Sequence, residues 1–258
     1  MIEQKVPIFT DMRFLKNEIL RALRDFPKDI TEVFTTPYSD GVVTGLNLAV
    51  TDQVIKVTPG MVKVEGRLLL LKEGVDIPYQ PRGQRQALKL IFEEPYKNLD
   101  FEGQQGTISL EDNIECQSNE MELARFKLEE GAYLRSDYQD LLDFSTGYNT
   151  LNLVHQPYSG LGESTIHPAI LKYFARELLG YRTENPSDMA ICYQMLSQSG
   201  SLSKETLNAY FQMRLQIETI AENNVEIHEK LVQILSKAKQ EQRHVARPRM
   251  GNRKLIVD

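Results

Sequence analysis

A seven-residue apolar repeat runs unbroken from Tyr210 to Ile234 and constrains this chain more than any other feature. Tyr210, Met213, Ile217, Ile220, Asn224, Ile227, Leu231 and Ile234 follow one another at spacings of three and four, and Ala238 adds one more step. A straight α-helix drifts against a strict seven, so such a stripe keeps to one face when the helix supercoils around a partner. Asn224 is the single polar member and falls at an a position. A buried Asn there costs stability but fixes register and strand number. Ile at both a (Ile217) and d (Ile220, Ile227) leans towards three strands. A helix packed in its own chain's bundle shows similar spacing. The flanking positions (Arg214, Ala221, His228 and Leu235; Gln216, Asn223, Lys230 and Lys237) do not alternate Glu with Lys as a dimeric zipper does. Two readings stand: an intersubunit seam, which is the expectation here, and an intrachain bundle.

The chain of 258 residues suits one large domain or two modest ones, with a core that needs no staples. Hydrophobic residues at 41% and charged residues at 26% are ordinary for a folded soluble protein. A net charge of −6 gives no general reason to expect nucleic acid. Cys116 and Cys192 belong to no metal or redox pattern and read as small hydrophobes. No stretch approaches the length of a membrane span, and the N-terminus lacks the layout of a signal peptide. The expected location is therefore a cytoplasm or a particle assembled in one.

The fold class expected from the order of patterns is α+β. Residues 1–30 form an N-terminal arm and a docking helix. Its apolar face holds Met12, Leu15, Ile19, Leu20, Leu23 and Phe26, and Pro27 stops it. From 31 to 145 the texture is that of short antiparallel strands in a sandwich or a barrel. Thr31–Thr36 favours strand, Val54–Val57 and Met61–Val64 flank Pro59-Gly60 read as a tight turn, and Gln86–Glu94 and Met121–Leu128 follow. Residues 98–109 read as a loop or hairpin tip. Residues 146–163 hold several Gly, Asn and Pro and read as a linker. The helical part, 164–242, has one helix entered through Pro168, one capped by Asn185, and one long coiled-coil-like helix from Ser201 or Ser203 to about Gln240. Residues 243–258 form a basic, extended tail.

The run Asp40–Leu46, followed by Val54–Arg67 with Pro59-Gly60 and Gly66-Arg67, is similar to the N-terminal modules of phage tail-tip and baseplate proteins. Met121–Leu128, with Asp137, Asp140 and Asp143 after it, resembles the closing strand and loop of the same modules. A β "shoulder" followed by a helical "neck" resembles phage receptor-binding proteins and the trimeric adaptor of the type VI secretion baseplate. Asp11–Leu15 echoes an early Met-Phe-Leu-like run of that adaptor. The resemblance covers residues 10–240 in architecture, and 40–67 and 121–128 in motif. It departs at the end, where a short basic tail stands in place of the adaptor's head. The resemblance implies a structural subunit of a phage tail or contractile injection baseplate, an oligomeric adaptor with other baseplate, tail or secretion-apparatus proteins as partners.

Catalytic and cofactor chemistry has little support in the sequence. His155, His167, His228 and His244 fall in no ligand spacing, and no GxSxG elbow occurs. Gly160-Leu161-Gly162-Glu163-Ser164 lacks the strand before it and the Lys-Ser/Thr pair of a phosphate loop. Asp137, Asp140 and Asp143 lack the pattern of a calcium loop. The expectation is no enzyme, no cofactor and no metal. In the tail, Arg243, Arg247, Arg249, Arg253 and Lys254 form an arm for an acidic protein partner, with Leu255-Ile256-Val257 able to extend a neighbouring sheet. Nucleic acid is the weaker option there, because stacking aromatics are absent. The rival class is a cytosolic scaffold or regulatory protein that binds a peptide or nucleic acid.

Overall fold

The computed structural model describes residues 4–12, 14–51 and 53–245, with side chains to 242. The expected α+β class holds, and its β part consists of several small antiparallel sheets. Helix α1 (Asn17–Thr35) comes first. Strands β1 (Gly41–Gly45), β2 (Leu48–Thr51), β3 (Val54–Val57), β4 (Gly60–Val64), β5 (Arg67–Leu71) and β6 (Val75–Pro78) follow. Next are β7 (Arg85–Phe92), β8 (Tyr96–Lys97), β9 (Glu102–Gly103), β10 (Gly106–Glu111) and β11 (Glu120–Lys127). The sheets are ordered β1-β4-β5, β2-β3-β6 and β10-β7-β11, with β8-β9 as a two-stranded ribbon. No closed barrel forms among the described residues. Residues 31–35, expected as strand, belong to α1, and Pro27 lies inside that helix rather than ending it.

Pro59-Gly60 is not a hairpin turn. Strand β3 pairs with β2 and β6, while β4 pairs with β1 and β5, so the chain changes sheet at this step. The corner is a crossing of two backbone segments: Leu46 N–H donates to Pro59 O at 3.3 Å, and Thr58 N–H to Asn47 O at 3.0 Å. A Cβ on Gly60 would lie 2.4 Å from Leu46 N, and one on Gly45 2.2 Å from Pro59 O. Only a residue without a side chain admits that approach. The true hairpin is β4–β5, where Glu65 and Gly66 have φ of 47° and 75°, the two positive values that a type I′ turn requires.

The stretch 146–163 runs through the interior. Leu151, Val154, Gln156 and Tyr158 are buried, and its backbone bridges to Arg125, Arg135 and Val42. Polar turn residues and core residues alternate here without a period, which is why the pattern reads as loose. After a 3₁₀ turn (Leu141–Ser145) and this stretch come α2 (Pro168–Gly180) and α3 (Pro186–Ser197). Both begin as their sequences predict, with Pro168 at the first turn of α2 and the Asn185 side chain accepting from Ser187 N–H. One apolar core runs from Val42 through Phe126, Leu151 and Phe174 to Leu231.

The long coiled-coil-like helix is absent from the described chain. Helix α4 (Lys204–Leu215) ends at Gln216, whose backbone is left-handed at φ 59°. Helix α5 (Asn224–Val245) is a fresh start. Asn223 accepts from Glu226 N–H at 3.0 Å and donates to the Glu226 carboxylate at 2.8 Å, while the same carboxylate takes Glu222 N–H. This is a variant of the capping box in which the Glu226 carboxylate reaches the N–H one residue before the cap, and it satisfies donors that a continuous helix would not expose. Between the two helices the chain runs back along α4, held by Asn208 to both the N–H and the carbonyl of Ala221. Helix α5 then climbs beside α4, and Lys237 donates to Arg214 O at the end of α4.

Candidate docking surface

Helix α1 leaves its own fold at one fixed point. The Lys63 ammonium, on β4 and nearly excluded from solvent, donates to Thr35 O at 2.7 Å and Tyr38 O at 2.6 Å. A cation at the last turn satisfies free carbonyls and suits the negative end of the helix dipole. Thr31, Thr35 and Thr36 hydroxyls bond back to Pro27 O, Thr31 O and Glu32 O. From that anchor the helix extends with none of its residues buried.

The sequence of α1 is strongly two-faced. Leu20, Leu23, Phe26, Ile30, Val33 and Phe34 are all exposed, Phe34 and Val33 at 74%. In the arm before it, Met12 and Phe14 are more open still, and Leu15 is exposed as well. The side of α1 turned to its own sheets is the polar one. Lys28, Thr31, Glu32 and Thr35 border a groove of about 1400 Å³ whose other wall is β5 and β10, with Leu68–Leu71 and Ile108. The apolar stripe therefore points away from the body of the chain. Large contiguous apolar surfaces of this kind mark interaction sites.

Of the docking residues expected from sequence, Met12, Leu15 and Leu23 are exposed and Ile19 is half-buried. Sequence reasoning stopped at Pro27 and so missed Ile30, Val33 and Phe34. The three-four spacing that continues from Phe26 to Ile30 and Val33 is the signal that would have found them. The expected oligomer stripe is divided by the break at 216–223. Tyr210, Ile227, Leu231 and Ile234 are buried in this chain's own core, and Asn224 donates to Gln156 O. Met213 and Ile220 are exposed, and Ile217 is half-buried. The side chains of Arg243, Arg247, Arg249, Arg253 and Lys254 lie outside the described residues, so the tail expected to bind a partner is not placed.

The other candidate groups serve local structure. Asp140 accepts from Asp143 N–H to start the 3₁₀ turn, and Asp143 accepts from Gln139 N–H and the Arg135 guanidinium. The Gly160–Ser164 turn bonds to Ser39 and Pro37. His167 caps α2 with Nδ1 accepting from Ala169 N–H, and burial pushes its pKa down to about 4. His228 donates from Nε2 to Leu141 O, and burial lowers its pKa also. Asp188 is fully buried and accepts from Tyr210, Arg214 and Thr183. Among the described residues no three His, Cys, Asp or Glu side chains are grouped to hold a metal ion. None of the described helices is long and apolar enough to cross a membrane.

No family model matches the chain, and no curated protein is recognisably similar to it. Among solved structures, the cryo-electron microscopy structure of the type VI secretion system TssK-TssF-TssG baseplate subcomplex contains a chain that aligns with this one. The alignment covers 91% of this chain and 100% of the other, at 11% identity and a TM-score of 0.38. A likeness that loose defines neither the fold nor the role.

Proposed function

We propose that this chain is a structural subunit of a phage tail or contractile injection baseplate. In this reading it acts as an oligomeric adaptor between the baseplate and another component, and it has no catalytic role. The observation that carries the reading is α1. A nineteen-residue helix with Pro27 inside it and no buried residue lacks the packing that normally maintains helices in proteins. A mid-helix Pro alone costs about 3 kcal/mol. Such a helix is maintained by a surface outside its own fold, as in a subunit whose stable state is the assembled particle. The motif resemblance of residues 40–67 and 121–128 to baseplate and tail-tip modules supplies the choice of particle.

The test is co-expression with the sheath, wedge and tube proteins of a candidate particle, followed by affinity recovery. The intact chain is expected to bring down a defined neighbour. A variant lacking residues 1–35 is expected to remain folded, since α1 contributes nothing to the core, and to fail to enter the assembled particle. Assembly with none of those proteins would defeat the reading.

A further inference from the structure

The outward face of α1 has the spacing of a self-complementary seam. Ile19, Leu23, Phe26, Ile30 and Val33 follow at intervals of four, three, four and three, the a/d repeat by which helices interlock knobs into holes. Leu20 and Phe34 widen the stripe along one flank, both exposed. Of the repeat between Tyr210 and Ile234, Tyr210, Ile227, Leu231 and Ile234 are buried inside the chain; the repeat on α1 is open.

We infer that the occupant of this face is α1 of further copies of the same chain, packed parallel and in register, with the β sheets outside the bundle. This rests on the oligomeric part of the function proposed above and names its surface. Three observations select a copy over an unrelated helix. The first is orientation: the polar residues Lys28, Thr31, Glu32 and Thr35 face this chain's own groove, leaving the apolar stripe directed outward. The second is charge. The positions bordering the stripe are Leu20, Ala22, Pro27, Asp29 and Phe34, so a single charge flanks it. An in-register copy therefore meets no run of like charges across the seam, and Arg21, Arg24, Asp25, Lys28 and Glu32 fall outside it. The third is area. The exposed apolar side chains of α1, with Met12, Phe14 and Leu15 before it, amount to roughly 1,000 Å², above the ~800 Å² per partner typical of a specific interface. Lys63 fixes the C-terminal end of each helix to its sheet, so association orients the bodies as well as the helices.

The experiment uses the purified full-length chain and multi-angle light scattering. Wild type is expected at an integer multiple of the monomer mass. The Leu23→Asp/Ile30→Asp double variant is expected at the monomer mass with an unchanged near-ultraviolet spectrum, because neither residue enters the core. In a Cys116→Ser background, Ile30→Cys is expected to form an intersubunit disulfide under mild oxidation, and Lys28→Cys on the opposite face is not. A monomeric wild type at its highest soluble concentration would overturn the inference, as would an oligomer that survives the double variant. These readings are made on the chain alone. Loss of self-association with retained capture of a baseplate neighbour therefore separates this inference from the functional reading, and the reverse result separates them equally.

Discussion

The ammonium of Lys63 sits 2.7 Å from the carbonyl of Thr35 and joins the last turn of α1 to the middle strand of the β1-β4-β5 sheet. It is the polar anchor of a helix that has no buried side chain. Replacing it by Met preserves the apolar stem and removes two charge-assisted hydrogen bonds. A hydrogen bond to a charged group contributes about 1.5–3 kcal/mol, and Tyr38 O is left facing a methyl group. We expect Lys63→Met to lower stability to denaturant by about 2 kcal/mol and to speed proteolytic cleavage within 17–35. A loss under about 0.5 kcal/mol, the scatter of ordinary surface substitutions, would mean that α1 is held by something else.

His167 makes stability depend on acid. Its Nδ1 accepts from Ala169 N–H inside a buried helix start, so the folded chain holds the ring neutral, with a pKa lowered by burial from 6.5 to about 4. Between those values the unfolded chain takes the proton and the folded chain does not. The stability from neutral His167 is full above pH 6.5 and is lost as pH falls towards 4, to a total of about 3 kcal/mol. Burial lowers the pKa of His228 and His155 as well, which adds loss in the same direction. His167→Asn keeps a capping acceptor without a titrating group. The variant is expected to show a shallower loss than wild type over this range in parallel urea melts. Superimposable pH profiles would remove His167 from the account.

Caps were legible in this sequence and long-range partners were not. Pro168 and Asn185 announce α2 and α3 because they act on the turn they belong to. Pro59-Gly60 offers the same local chemistry whether the next strand folds back or leaves for another sheet, and only the pairing of β4 with β1 and β5 decides it. The apolar stripe from Tyr210 to Ile234 kept its spacing across a break, because residues on both sides bury against one core and the count between them happens to fit. The opposing signal was present: Asn223 three residues before Glu226 is a capping box, and it belongs to a helix start. The docking face was half legible. Its first turns follow the helical period, but Pro27 is a local stop signal that the apolar spacing of Phe26, Ile30 and Val33 overrides.

The break between α4 and α5 gives a direct contrast. Gln216 is left-handed at φ 59°, where a non-glycine residue is strained and Gly is not. Gln216→Gly is expected to leave stability unchanged or raise it by up to about 1 kcal/mol. In an uninterrupted helix the same change would cost about 1 kcal/mol. Asn223→Ala removes the cap and is expected to cost about 1 kcal/mol. Thermal or urea melts that rank Gln216→Gly below wild type would restore a continuous helix.

The crossing at Gly60 is the most severe packing constraint in the β part, and one methyl group tests it. An alanine there places its Cβ 2.4 Å from Leu46 N and 2.6 Å from Thr44 O, both backbone atoms that have no rotamer by which to move aside. Gly147 has nothing within 4 Å of the corresponding position and no positive φ, so it serves as a matched control. Gly60→Ala must therefore separate two segments that carry β1 into β2 and β3 into β4, opening both sheets at their shared corner. We expect a loss of more than about 3 kcal/mol, among the large values that overpacking and backbone strain produce. Gly147→Ala is expected within about 0.5 kcal/mol of wild type. If the two alanines melt together, the sheets do not meet at this corner, and the body from which α1 projects is arranged differently.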